Sequence, residues 1–147
     1  MRRGKIPETI RMGLTDRLRK HAALEWAREC RGVEVRFRGV YAYVDAFSSR
    51  RDYMPGMTEE EKARLDAIPL HLCRLEYFGR KDEWGFAFYK YSDEKYEVSF
   101  LPSISWTGTP EECFDCAASV YLSGSVEEYV RRIRGAIEAG REKPLPE

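Results

Sequence analysis

No apolar run in this sequence is long enough to cross a bilayer. The basic start MRRGKIPETIRMG has no hydrophobic stretch behind it, so neither a secretory signal nor a membrane anchor is expected. An excess of one charge is also lacking, because 25 Lys and Arg balance 25 Asp and Glu. That removes the global pull toward nucleic acid and leaves only local basic patches. Histidine is scarce, with His21 and His71 alone, and there is no Gly-x-Ser-x-Gly elbow, phosphate-cradling glycine loop or dinucleotide fingerprint. Catalysis is therefore unsupported and no cofactor is expected, although linear sequence does not tell whether carboxylates such as Asp45 and Glu76 approach one another. Four cysteines without a leader point to a cytosolic chain with reduced thiols rather than a disulfide framework.

What is present organises around Ile68 to Leu101. Leu70 and Leu72 alternate with His71 and Cys73, Trp84, Phe86 and Phe88 with Gly85, Ala87 and Tyr89, and Tyr96, Val98 and Phe100 with Glu97 and Ser99. A period of two places successive side chains on opposite faces of a strand. The breaks FGRKDE and SDEK suit hairpins, so these runs predict a three-stranded antiparallel meander. The pattern leaves open which face Trp84, Phe86 and Phe88 take relative to the helices. Upstream, Val33 to Asp45 reads as a hairpin turning at Arg38 and Gly39, with Val33, Val35 and Phe37 toward the helices.

The remaining segments predict helices. One is expected after Thr15 as cap, ending at Gly32, with Leu18, Ala22, Ala23, Trp26, Ala27 and Cys30 as its apolar stripe. Thr58 and Glu61 stand at capping-box spacing before a short helix, as do Thr109 and Glu112, with Pro110 at the first helical position of another. A last helix opens at Ser125 and Glu128, with Glu127 and Arg131 at ion-pair spacing. Residues 1–12 and 141–147 read as flexible tails. Trp106, among turn residues, is expected to plug the core edge rather than stand exposed. The chain is thus expected to be one α+β domain over 1–147, in the order α-β-β-short α-β-β-β-α-α. Its five-stranded, mostly antiparallel sheet carries helices on one face.

Three sets of residues invite chemistry. Cys113-Phe-Asp-Cys116 has metal-ligand spacing, and His71 with Cys73 would complete a Cys3His site if both pairs met. Free thiols on apolar stripes are more often core, and Glu111, Glu112 and Asp115 oppose a reactive thiolate, so unreactive cysteines and no metal are expected. On the open sheet face, Arg36, Arg38, Tyr41, Tyr43, Arg74 and Tyr89 would gather rings and guanidinium groups. Such a mixture suits a protein partner or self-association first, and single-stranded nucleic acid second. The stretch from 47 to 57 is a candidate recognition loop, and a pocket beneath the 47–67 insertion is the remaining enzymatic reading.

The residues LHLCRLEY (70–77), WGFAFY (84–89), Tyr96-Glu97, Ser99, Leu101-Pro-Ser103, Gly108-Thr-Pro-Glu-Glu112, Asp115-Cys-Ala117 and Tyr121-Leu122 belong to one recognisable pattern. Together with VEVRFRGVYAYVD (33–45), they make most of residues 15–122 resemble a group of small uncharacterised bacterial proteins. The resemblance implies no activity, and it does not extend to the Arg50–Leu65 insertion or the last helix.

Overall fold

The computed structural model describes residues 4–49 and 53–122, so the helix expected from Ser125 and the 141–147 tail lie outside the described residues. Helix α1 spans Glu8–Glu25, strand β1 Cys30–Arg38, β2 Tyr41–Ser48, helix α2 Glu59–Asp66, β3 Leu70–Tyr77, β4 Trp84–Lys90, β5 Lys95–Val98, β6 Thr107–Gly108 and helix α3 Pro110–Tyr121. The α+β class and the strand order agree with the sequence reading. All pairings are antiparallel in the spatial order β1-β2-β3-β4-β5, and β6 pairs with Trp84 and Gly85 of β4. A two-residue strand is too short to show alternation, which is why β6 is not apparent from the pattern.

Helix α1 starts and stops earlier than its sequence suggests. Pro7, with φ fixed at −59°, serves as the N-cap, and Glu8 sits at the positive end of the helix. Thr15 is no cap; its hydroxyl donates to the Arg11 carbonyl at 3.0 Å inside the helix. Of the residues expected in a loose arm, those from Glu8 onward are helical, and Ile6 is buried with its N–H donating to Gly39 O. At the other end Trp26 is the C-cap, and Cys30 to Gly32 already belong to β1. Leu18, Ala22 and Trp26 of the expected stripe are buried, whereas Ala23 and Ala27 are exposed.

Both α1 and α3 lie on one face of the sheet, α1 beside β1 and α3 beside β3. The core between them holds Leu18, Trp26, Val44, Leu75, Trp84, Phe86 and Phe114, which places Trp84 and Phe86 on the helix side. The expected capping boxes of α2 and α3 both form. Gly108 lets β6 turn closely into α3, since a Cβ there would stand 2.5 Å from Leu101 Cδ1 and 2.9 Å from Glu112 Oε1 and would push those side chains aside. Trp106 departs from expectation. It is 50% exposed, its ring 3.7 Å from that of Phe100, because the core edge it was expected to plug is already closed by Leu101 and Trp84.

Two polar clasps tie α1 to α3. Asp115 Oδ1 accepts from His21 Nε2 at 2.7 Å and from the buried indole of Trp26 at 2.9 Å. Arg17 donates to both Glu111 oxygens, from Nε at 2.9 Å and Nη2 at 2.7 Å. Its Nη1 reaches Lys81 O and Asp82 Oδ1 in the β3–β4 connection. The Arg17 hydrogen bond holds the Glu111 carboxyl below its ordinary range. Because the folded carboxyl is the weaker proton binder, its contribution is complete above about pH 5 and is lost as pH falls through the lowered folded value. Arg17→Met is expected to cost about 1–2 kcal/mol in urea unfolding at pH 7, with the difference from wild type shrinking below about pH 4.

Candidate binding face

The candidate face is the side of the sheet away from α1 and α3, and its residues follow from pairing register. Arg36 stands opposite Tyr43, Tyr43 opposite Arg74, Arg74 opposite Ala87, and Tyr89 opposite Tyr96. Directly paired residues project to the same side, so Arg36, Arg38, Tyr41, Tyr43, Arg74 and Tyr89, the residues singled out by sequence, do share one face. The guanidinium of Arg74 lies 4.3 Å from the Tyr41 ring centroid and 5.8 Å from that of Tyr96, and Arg36 lies 5.5 Å from Tyr43. Tyr43 and Tyr96 meet edge to face at 5.2 Å, and Tyr96 and Tyr89 at 4.9 Å. These are alternating rings and cations already in contact.

At the centre of the β1 side of this face is a residue that sequence analysis raised only as half of a carboxylate pair. Asp45 is 2% exposed, the most buried charged side chain on the sheet. Its Oδ1 meets His71 Nδ1 at 2.9 Å and its Oδ2 accepts from Arg36 Nη2 at 3.2 Å. A carboxylate on Nδ1 favours the tautomer with the proton there, leaving Nε2 as the acceptor on a side chain 37% exposed. Rings flank the imidazole, Tyr89 at 4.8 Å and Tyr91 at 6.4 Å, and the Tyr91 hydroxyl accepts the His71 backbone N–H at 2.7 Å. Burial, with Asp45 nearby, pushes the Tyr96 hydroxyl well above its ordinary pKa, so this phenol stays protonated. The group offers hydrogen-bond acceptors, donors and ring edges. Glu76 does not join it: it pairs across from Tyr41, four residues from Asp45 along β2, or about 13 Å.

A β-bulge creates this arrangement and dissolves the metal set. Val44 pairs with Cys73 and Asp45 with His71, so Leu72 is the extra residue of β3. Leu72 and Cys73 are both fully buried, while His71 turns to the opposite face and spends Nδ1 on Asp45. His71 and Cys73 thus do not share a side, and the Cys3His site with Cys113 and Cys116 is not assembled. Among the described residues no group of three or more His, Cys, Asp or Glu is placed to hold a metal. All four cysteines are free and buried. Burial raises the Cys73 and Cys113 thiols well above normal, and that of Cys116 to about 12.

The far end of the face is apolar. Phe78, Val98 and Trp106, all at least half exposed, surround a hollow of about 110 Å³ with Gly85 and Ala87 beneath and Arg74 and Glu76 alongside. A Cβ on Gly85 would stand 3.0 Å from the Phe78 ring, so this glycine lets the ring lie down over the strand. Sequence reasoning placed none of these three in a site: Val98 falls within a strand alternation, and Phe78 and Trp106 lie among turn residues without periodicity. The insertion is pinned at the opposite end. Phe47 and Ser48 belong to β2 rather than to a loop, the Tyr53 hydroxyl donates to Asp66, and Arg31 Nη2 donates to Asp66 O at 2.6 Å.

Asp45→Asn is expected to destabilise the chain by about 1–3 kcal/mol in chemical denaturation. A double-mutant cycle with His71→Ala should show coupling of about 0.5 kcal/mol or more, and strict additivity would refute the pair. Iodoacetamide at neutral pH is expected to leave all four thiols of the native protein unmodified by intact mass.

No family model matches the chain, and no curated protein or solved structure matches it.

Proposed function

We propose that this is a cytosolic, non-catalytic binding module that docks a segment of a partner protein across the open sheet face. The observation carrying the reading is the hollow beside Arg74, where Phe78, Val98 and Trp106 expose apolar surface next to ordered guanidinium groups. Its volume equals that of about three to four water molecules at ~30 Å³ each, enough for one apolar side chain. Interface energies concentrate in such anchors, with Trp, Tyr and Arg over-represented. In this reading an apolar anchor enters the hollow while acidic or carbonyl groups on the segment meet Arg74, Arg36 and Arg38.

Single-stranded nucleic acid is the second reading, since tyrosines on a sheet are stacking platforms. The ring faces of Tyr41, Tyr43 and Tyr96 are, however, already approached by Arg74 and Arg36, and Glu34, Asp45 and Glu76 put negative charge among them. A base would have to displace the arginines and meet those carboxylates. The protein reading leaves the arginines on their rings, because its anchor is an uncharged side chain in the hollow.

Selection of random peptides on the wild-type chain tests the proposal. Enriched peptides are expected to share one large apolar residue flanked by acidic ones, and Trp106→Ala should weaken them about tenfold or more. Peptides bound equally well by Trp106→Ala would sink the reading. Salt-sensitive binding of a single-stranded oligonucleotide, lost in Tyr43→Ala and Arg36→Ala, would replace it with the nucleic-acid one.

A further inference from the structure

Strand β1 ends the sheet, and among the described residues it is paired on one side only, by β2. Arg38 and Tyr41 close a two-residue turn, so the backbone groups of Arg38, Arg36 and Glu34 point toward β2, and those of Val33, Val35 and Phe37 point outward. The Val33 carbonyl behaves accordingly, accepting from Arg19 Nε at 3.2 Å on the outer side. Apart from that carbonyl, these outward backbone groups of β1 have no backbone partner among the described residues, and a long open edge is a template for another strand.

The side chains on this strand are not balanced within one chain. Glu34 stands directly across from Asp45, and like charges directly opposite are destabilising. Arg36 serves Asp45, and Glu34 has no ion-pair partner among the described residues. Arg36 is half exposed, its guanidinium shared between Asp45, the Tyr96 hydroxyl and the Tyr43 ring, so part of its fork still faces solvent.

We infer that β1 is the docking edge for a second copy of this chain, the two strands pairing antiparallel about a two-fold axis through Val35. In that register Val35 faces its own copy, Val33 faces Phe37 on the helix side, and Glu34 faces Arg36 twice on the open side. Each copy thereby receives the counter-charge that Glu34 lacks. The two adjacent symmetric registers are worse: an axis at Arg36 sets arginine against arginine, and an axis at Glu34 sets glutamate against glutamate. Room for the approach exists along the α1–β1 flank. Hollows of about 450 and 350 Å³ lie there, one lined by Arg19, Ala22, Gly32 and Val33, the other by Arg19, Phe37 and the exposed Met12. The joined molecule carries one continuous sheet of two copies, with both candidate binding faces on the same side.

The test is sedimentation of the full chain over a concentration series, at low and high sodium chloride, for wild type and Glu34→Lys. Wild type is expected to move from one to two chain masses, more weakly at high salt. Glu34→Lys exchanges two attractions for two repulsions across the axis and should weaken association about tenfold or more. In the dilute single chain the same change places a cation across from Asp45, so the thermal midpoint is expected to hold or rise, which separates lost docking from lost folding. A wild-type chain that stays at one mass into the hundreds of micromolar overturns the inference. So does a dimer indifferent to Glu34→Lys; if that dimer is broken by Trp106→Ala, the copies meet through the open face instead.

Discussion

Between Tyr43 and Ala46, β2 advances three residues while the paired segment of β3, from Arg74 back to Leu70, advances four. The surplus residue, Leu72, turns the strand over. On one side of it His71 looks out from the helices toward Asp45, and on the other Leu72 and Cys73 both sink into the core. Without the surplus residue, and with Tyr43 still opposite Arg74, His71 would face the core and Asp45 would lose a partner. The His71 N–H, beyond the last residue of β3 that pairs with β4, finds the Tyr91 hydroxyl. The open face depends on that local irregularity more than on any single contact across it.

The two layers are held by different means. On the helix side apolar burial dominates, and the polar groups that enter it arrive with partners: the Trp26 indole has Asp115, and Arg17 spreads its donors over α3 and the β3–β4 connection. On the other side the sheet is coated by tyrosines and arginines that restrain one another, with one carboxylate, Asp45, sealed beneath them. A buried charge persists only with its hydrogen bonds made, and here both oxygens are engaged. That requirement orders Arg36 and His71 before anything binds, so the face is preorganised rather than floppy.

The sequence spelled out most of this at the level of alternation. Val33 to Asp45 read as strands with the correct sides and Trp84 to Tyr89 as a strand whose sides the pattern left open, and Thr58 and Thr109 announced their helices through side chains that act within one turn. Two kinds of feature were less legible. Helix α1 was misplaced because Thr15 resembles a cap, whereas Pro7 fixes the start by backbone geometry. The bulge was hidden because its evidence is a change of parity: Leu70 and Leu72 are apolar on even numbers, Cys73, Leu75 and Tyr77 on odd ones. No single strand can bury both sets without an extra residue between them. That switch also explains why Arg74 and His71 share a face. The apolar hollow escaped notice for a different reason, as Phe78 and Trp106 sit in connections, where spacing carries no directional information.

The spatial order of the first five strands repeats their order along the chain. Each strand therefore finds its neighbour across a short connection, apart from the longer span that carries α2, and little loop entropy has to be overcome at any step. Such a layout favours growth in sequence during synthesis: the first hairpin is complete before the meander emerges, and every later strand meets a ready-made edge. Helix α3 arrives after the surface that buries it, so among the described residues the last large gain in burial waits until the sheet is in place.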